Sequence, residues 1–395
     1  MKKLIVLFVL QCIIISPGNS QTQKYSDAFQ KVTEYINKQI KQQNVTGISI
    51  AVIETDSIIW AKGFGFADKE NGIEVTPNTI FPLGCVAKMF TTAAIMKLAQ
   101  EGKINLDDPF IKHVPEFTMN KHFKADDPFT IRQMLAHTSG IPRVRGKNHH
   151  ADSTRYFRQI IEEEKDDYLL APPNTFTYYT DWAFILLGVL IENVTGTSFE
   201  KYMENSFFKP LNMTSSGYKD FQYVDNMSKG YKRGQIEQKV YNSSGKPSEA
   251  GYSSALDLAR FTMMFVNKGK YLKKQILTEK LIKGSYEKQN NTLKFDYGSD
   301  YGLCWKLDYF SGQRQIAKWG GHPGGMSAVI RILPEHNLAV VACDNTSDFG
   351  VDKVTSIMLN EILESKGIEA PKVSKIKLKK TEYTSNRIEL IKGNY

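Results

Sequence analysis

The sequence predicts an α/β protein of the α+β kind: one antiparallel sheet flanked by helices, with an all-helical subdomain inserted into it. Three observations carry this. Strand patterns lie near both ends of the chain, at 47–68 and from about 300 onward, and helical patterns fill the stretch between. The composition is 41% hydrophobic and 24% charged over 395 residues, enough for a large core or two packed subdomains. Past the first twenty residues there is no internal repeat and no apolar run long enough to span a bilayer.

Residues 1–20, "MKKLIVLFVLQCIIISPGNS", join a basic start, a short apolar stretch and a small-residue end. This is the pattern of a secretory signal peptide cleaved after Ser20, which implies a periplasmic or secreted protein. A lipoprotein reading needs a small residue before Cys12, where Gln11 stands. Residues 25–45 read as an amphipathic helix. "GISIAVIETDSIIWAKGFGFAD" alternates like two antiparallel strands with a turn near Asp56. A helix opened by Cys85 runs to near Gly102. From about 105 to 255 the patterns are helical with loops, and "SALDLARFTMMFVNKG" is a further helix. Strands return in "YGLCWKLDYF", "QIAKWGGHPGGMSAVIRILPE" and "LAVVACDN", and the helix "GVDKVTSIMLNEILESKG" follows. The domain so drawn spans 21–368. Its sheet part comes from about 21–84 and 256–368, its helical part from about 85–255, and 369–395 form a basic tail.

The formal charge is +9, with Lys and Arg scattered among Asp and Glu. That pattern fits solubility and loose envelope association and argues against nucleic acid. Three cysteines follow the signal segment: Cys85, Cys304 and Cys343. An odd count leaves one thiol free or paired to another chain. Cys304 and Cys343 lie in strand-like runs and either fill the core or bridge each other. His149 and His150 lack partners at metal-ligand spacing and read as a solvated loop. The absence of Gly-x-Ser-x-Gly argues against an α/β-hydrolase.

Chemistry-bearing residues gather at three places. Cys85-Val86-Ala87-Lys88 puts a nucleophile and a cation one helical turn apart on one face. "PPNTFTYYTDWAFILLG" contains Tyr179-Thr180-Asp181. "KWGGHPGGMSAVIRILP" contains His322-Pro323-Gly324-Gly325 on an expected strand. Each alone is weak; Cys85 by itself is an ordinary small core residue, and His322 by itself caps a glycine-rich turn. Their order and spacing together are specific.

The set resembles the serine β-lactamase and penicillin-binding-protein superfamily, in its class C and DD-peptidase-like esterase branch, over nearly the whole mature chain. "GFGFADKENGIEVTPNTIF", "IRQMLAHTSGIP", "LLGVLIENVTGTSFEKYMENSFFKPLNMTSSGY" and "AGYSSALDLARF" match further landmarks. The resemblance implies a sheet domain beside a helical domain, an active site in the groove between them, and no metal or organic cofactor. It implies that Cys85 stands where the nucleophilic serine stands and that Lys88 activates it. Tyr179 is then the general base and acid, Asp181 replaces the usual Asn, and His322 and Gly324 form the His-x-Gly third motif. The backbone N–H groups of Cys85 and Gly325 form the oxyanion hole. His137-Thr138-Ser139 is a structural turn away from the nucleophile. Pro323 replaces a common hydroxyl residue, which weakens a case for β-lactams or D-Ala-D-Ala peptides.

A thiol beside an ammonium at a helix N-terminus gives up its proton more readily than a hydroxyl, so it needs less help from a base. The expected function is therefore an exported acyl hydrolase or acyltransferase that acts on a small-molecule or peptide ester or amide through an acyl intermediate on Cys85. The alternative is a non-catalytic envelope protein that binds peptidoglycan fragments or peptides in the retained groove.

Overall fold

Period-two alternation sorts β1 (Gly47–Glu54) between two cores: Ile48, Ile50 and Val52 face one side, Ala51 and Ile53 the other, and the whole strand is buried. The computed structural model describes residues 24–124, 128–143, 156–164, 166–232, 236–293, 295 and 300–369. The expected leader, His149, His150 and the tail from 370 on lie outside the described residues.

Helix α1 (Ser26–Lys41) leads into β1, β2 (Ser57–Asp68) and the short β3 (Ile73–Glu74). Helices α2 (Lys88–Gln100), α3 (Trp182–Thr195) and α4 (Ala255–Val266) belong to the middle of the chain. The C-terminal part supplies β4 (Asp300–Tyr301), β5 (Lys306–Phe310), β6 (Gln313–His322), β7 (Met326–Leu333), β8 (Leu338–Asp344) and α5 (Val351–Ser365). The described strands form an eight-stranded antiparallel sheet ordered β4-β5-β6-β7-β8-β1-β2-β3. The fold is thus the α+β class that the sequence predicts.

One sheet face packs on α1 and α5, where Phe29, Val32, Met358 and Ile362 join Ile48, Ile50 and Val340. The other packs on α4 and the helical layer, where Leu258 and Phe261 join Ala51, Ile53 and Val341. In α2 every residue from Lys88 to Met96 is buried, and in α3 every residue from Trp182 to Ile191. Helices apolar all round are those enclosed by protein. Among the described residues no single helix is long and apolar enough to cross a membrane.

Two details differ from the sequence expectation. "QIAKWGGHPGGMSAVIRILPE" is a hairpin, not one run: β6 ends at His322, and β7 begins at Met326. Pro323 and glycines at 324 and 325 make the turn, with Gly325 in the left-handed region at φ 81°. Cys304 lies between β4 and β5 rather than in a strand, at φ 65°. Cys85, Cys304 and Cys343 are all free thiols, so Cys304 and Cys343 do not bridge.

Strand β6 pairs with β5 only up to Ala317, whereas its pairing with β7 continues to His322. From Lys318 onward its other edge faces the turn that carries Cys85. The approach is closer than a side chain permits: a Cβ on Gly320 would lie 2.1 Å from Leu83 O and 2.9 Å from Cys85 N. A Cβ on Gly84 would lie 2.2 Å from Gly321 O.

Candidate active site

Cys85 sits in a 3-10 turn, Gly84–Ala87, that runs directly into α2. It is half-buried and borders a cavity of about 410 Å³, together with Tyr179, Cys304, Lys318 and Gly321. Lys88, the first residue of α2, has no exposure to water. Its Nζ donates to Asp181 Oδ1 at 2.5 Å and to Ser248 O at 3.1 Å, and lies 5.1 Å from the Tyr179 ring centre. Burial works against this ammonium, yet the acidic groups beside it, Tyr179, Cys85 and Asp181, outweigh burial and hold Lys88 well above its ordinary value.

Asp181 occupies the N-cap position of α3 but makes no side-chain cap. An aspartate there usually accepts from the helix's first N–H groups. This one instead accepts from Lys88 Nζ at Oδ1 and from Arg143 Nε at Oδ2, the latter at 3.3 Å. Burial would push the carboxyl up, but Lys88 wins and holds it below the usual range, with Arg143 adding to the effect. The pair is ionised.

Tyr179 is placed by the turn at 137–139. His137 has φ 60°, its carbonyl accepts from Tyr178 N at 2.7 Å, and its Nδ1 accepts from Thr180 N at 3.3 Å. Its ring lies 4.3 Å from the Tyr179 ring. The turn that the sequence sets apart from the nucleophile thus forms the wall behind the tyrosine. Burial first, then Lys318 and Lys88, push His137 well below its ordinary value, so the imidazole is neutral. Burial pushes the Tyr179 phenol up to about 12 against the pull of Lys318 and Lys88.

The third motif falls elsewhere than expected. A basic residue two before a glycine occurs twice in this stretch, at Lys318-Trp319-Gly320 and at His322-Pro323-Gly324. The strand brings the first to the cavity. Lys318 is buried and donates to Tyr179 OH and to Cys304 O, both at 3.3 Å. His322, the last residue of β6, bonds Tyr241 O through Nε2 at 2.8 Å and accepts from Gly324 N through Nδ1 at 3.0 Å. It packs against Phe221 and does not border the cavity. Gly325 N donates to His322 O at 3.0 Å within the hairpin turn, and Gly324 lies against the backbone of Lys239 and Val240. The turn residues 322–325 therefore do not meet Cys85; Gly320 and Gly321 do. The available signal was the glycine spacing, since only the lysine triplet precedes the turn chemistry of Pro323-Gly324.

Among the described residues no cluster of His, Cys, Asp and Glu has the composition of a metal site.

A sheet built from both ends of the chain, a helical layer against it and the Cys85 turn at the seam fit the serine β-lactamase and penicillin-binding-protein superfamily. A family profile described as Beta-lactamase matches residues 32–358, and the chain belongs to that family. Protein flp of Staphylococcus aureus (strain N315) is 27% identical over 355 residues, which cover 87% of this chain and 68% of that protein. The octameric penicillin-binding protein homologue from Pyrococcus abyssi superposes with a TM-score of 0.74 at 26% identity, covering 87% of this chain and 78% of that one. EstCE1, described as a hydrolase with promiscuous acyltransferase activity, gives 0.71 at 20% identity, covering 85% and 98%.

Proposed function

We propose that the protein is an exported acyl hydrolase or acyltransferase that forms a thioester on Cys85 from an ester or amide substrate. The observation that carries this reading is convergence: Cys85, Tyr179 and Lys318, from three separated segments, border one cavity, with Lys88 directly beneath. The Cys85 thiolate attacks the substrate carbonyl, and the bond to the leaving group breaks. Tyr179, whose oxygen already accepts from Lys318, gives the departing group its proton. Backbone N–H groups of Cys85 and of the adjoining Gly320–Gly321 segment receive the oxyanion. The stretch of β6 from Lys318 to Gly321, which borders the cavity and is not paired with β5, offers backbone groups to an extended, peptide-like acyl chain. Export rests on the leader-like first twenty residues.

Intact-mass measurement after incubation with a varied panel of activated esters tests this. One acyl adduct, mapped to Cys85 and lost in Cys85→Ala, is expected. No adduct with any ester would favour a non-catalytic groove that binds peptides or peptidoglycan fragments.

A further inference from the structure

The thioester reading leaves open which acyl groups the site accepts. We infer that it selects acyl groups that carry a carboxylate of their own, and that Arg143 is the residue that binds this carboxylate. This rests on the thioester at Cys85.

A second arginine of this protein shows what a structural pairing uses. Arg132 meets Asp107 side-on, Nε to Oδ1 at 2.6 Å and Nη2 to Oδ2 at 2.9 Å, and spends Nη1 on Gln289 at 3.1 Å. Arg143 touches Asp181 through Nε alone, at 3.3 Å, and its side chain is 63% exposed. Among the described residues its Nη1 and Nη2 make no hydrogen bond. The outer edge of a guanidinium is a planar fork that matches the oxygens of a carboxylate. In Arg143 that fork is open.

The open fork is tied to the reacting centre. Asp181, which holds it through one oxygen, holds Lys88 through the other at 2.5 Å, one turn along from Cys85. Arg143 is also within electrostatic reach of Cys85 and Tyr179. It is not part of the cavity wall, so a chain bound to Cys85 has to extend past the wall to meet it.

Charge decides which part of the substrate should carry the carboxylate. The cations around Cys85 are Lys88, Lys318 and Arg143, and the anion among them is Asp181. Burial keeps Tyr179 and Tyr301 as phenols and His137 as a neutral imidazole. At the cavity's far end Lys306 and Asp352 offset each other. Before reaction the Cys85 thiolate answers one of the cations. Acylation turns that thiolate into a neutral thioester. The cations are then in excess, even with Glu249, the next carboxylate beyond Asp181, counted against them. A cleft with such an excess attracts anions. The leaving group takes its own charge away when it departs. The compensating carboxylate therefore belongs on the acyl part, which stays.

The test compares p-nitrophenyl esters that share one leaving group and differ in charge at the far end of the acyl chain. These are the hydrogen adipate, pimelate and suberate, their methyl-capped counterparts, and the cationic aminohexanoate. Acylation is followed by p-nitrophenolate release and by intact mass. At least one acidic ester should acylate Cys85 about tenfold or more faster than its capped counterpart, the worth of a hydrogen bond between charged groups. That advantage should shrink as salt is added, and the aminohexanoate should be slowest. In Arg143→Met the ratio of acidic to capped ester should fall to about one, whereas Arg143→Lys, which keeps the charge without the fork, should retain part of it. Cys85→Ala lacks the thiolate, as the acyl-enzyme does. In that variant the adipamate anion should bind about tenfold or more tighter than neutral adipamide by titration calorimetry. Equal acylation by acidic and capped esters overturns the inference, and so does an unchanged ratio in a folded Arg143→Met variant. If no ester forms an adduct, the thioester reading falls, and the calorimetric pair alone judges the role of Arg143: equal affinities overturn it.

Discussion

Lys88 is a charge with no access to water, and Asp181 is what makes that tolerable. Breaking such a pair from one side leaves an uncompensated ion in the interior, which costs about 3–5 kcal/mol. Asp181→Ala should therefore lower stability by about that much at pH 7, measured by denaturant unfolding, while Asp181→Asn, which keeps the acceptor oxygen, should lose less. The pH sign follows from the depressed carboxyl. Its contribution is present above the ordinary carboxylate range and is lost as pH falls through the folded-state value, so the gap between wild type and Asp181→Ala should narrow on acidification. This contact joins residues 93 apart, and no spacing rule connects them. The sequence marks Asp181 only as a departure from a family pattern; what it touches is a tertiary fact. Cys85 and Lys88 are different, because four consecutive residues entering a helix are legible as local geometry.

At the scale of elements, the decisive contact is the edge of β6 against the Gly84–Ala87 turn. Gly320→Ala would insert a methyl 2.1 Å from Leu83 O and 2.9 Å from Cys85 N. Backbone has to yield, and a shift of about 1 Å at a reacting centre costs about a hundredfold in rate. Acylation by an activated ester should fall by about that factor, while far-UV circular dichroism stays native. A rate within threefold of wild type would mean that the turn and the strand are not held in register. The hairpin β1–β2 and helix α4 were readable from periodicity and turn residues alone. The β6–β7 hairpin was not read as one, although Pro-Gly-Gly is turn chemistry, because the His-x-Gly spacing competes for the same residues. Motif spacing alone cannot distinguish the triplets 318–320 and 322–324; the pairing that ends β6 at His322 does.

Across the whole molecule, the sheet's middle hides an acid. Asp344 closes β8 without exposure to water, opposite Ile48 of β1 and Ser327 of β7. Burial pushes its carboxyl up to about 7, against hydrogen bonds from Thr346 N and Ser327. A raised carboxyl binds its proton more tightly folded than unfolded. Stability from this group is therefore full at acid pH and falls as pH rises from the ordinary carboxylate range through about 7. Asp344→Asn should raise the melting temperature by several degrees above pH 7 and leave it nearly unchanged near pH 4. Equal melting curves at pH 8 would place that carboxyl in contact with solvent. The same strand pairing has a consequence in time. β1 sits between β2 and β8, so the hairpin made first waits for a partner that ends at Asp344. At 5–20 residues per second, a ribosome needs roughly 15 to 60 seconds to supply it. Throughout that interval the emerging chain has an open sheet and no closed domain, and the export proposed above would meet it while it is still threadable.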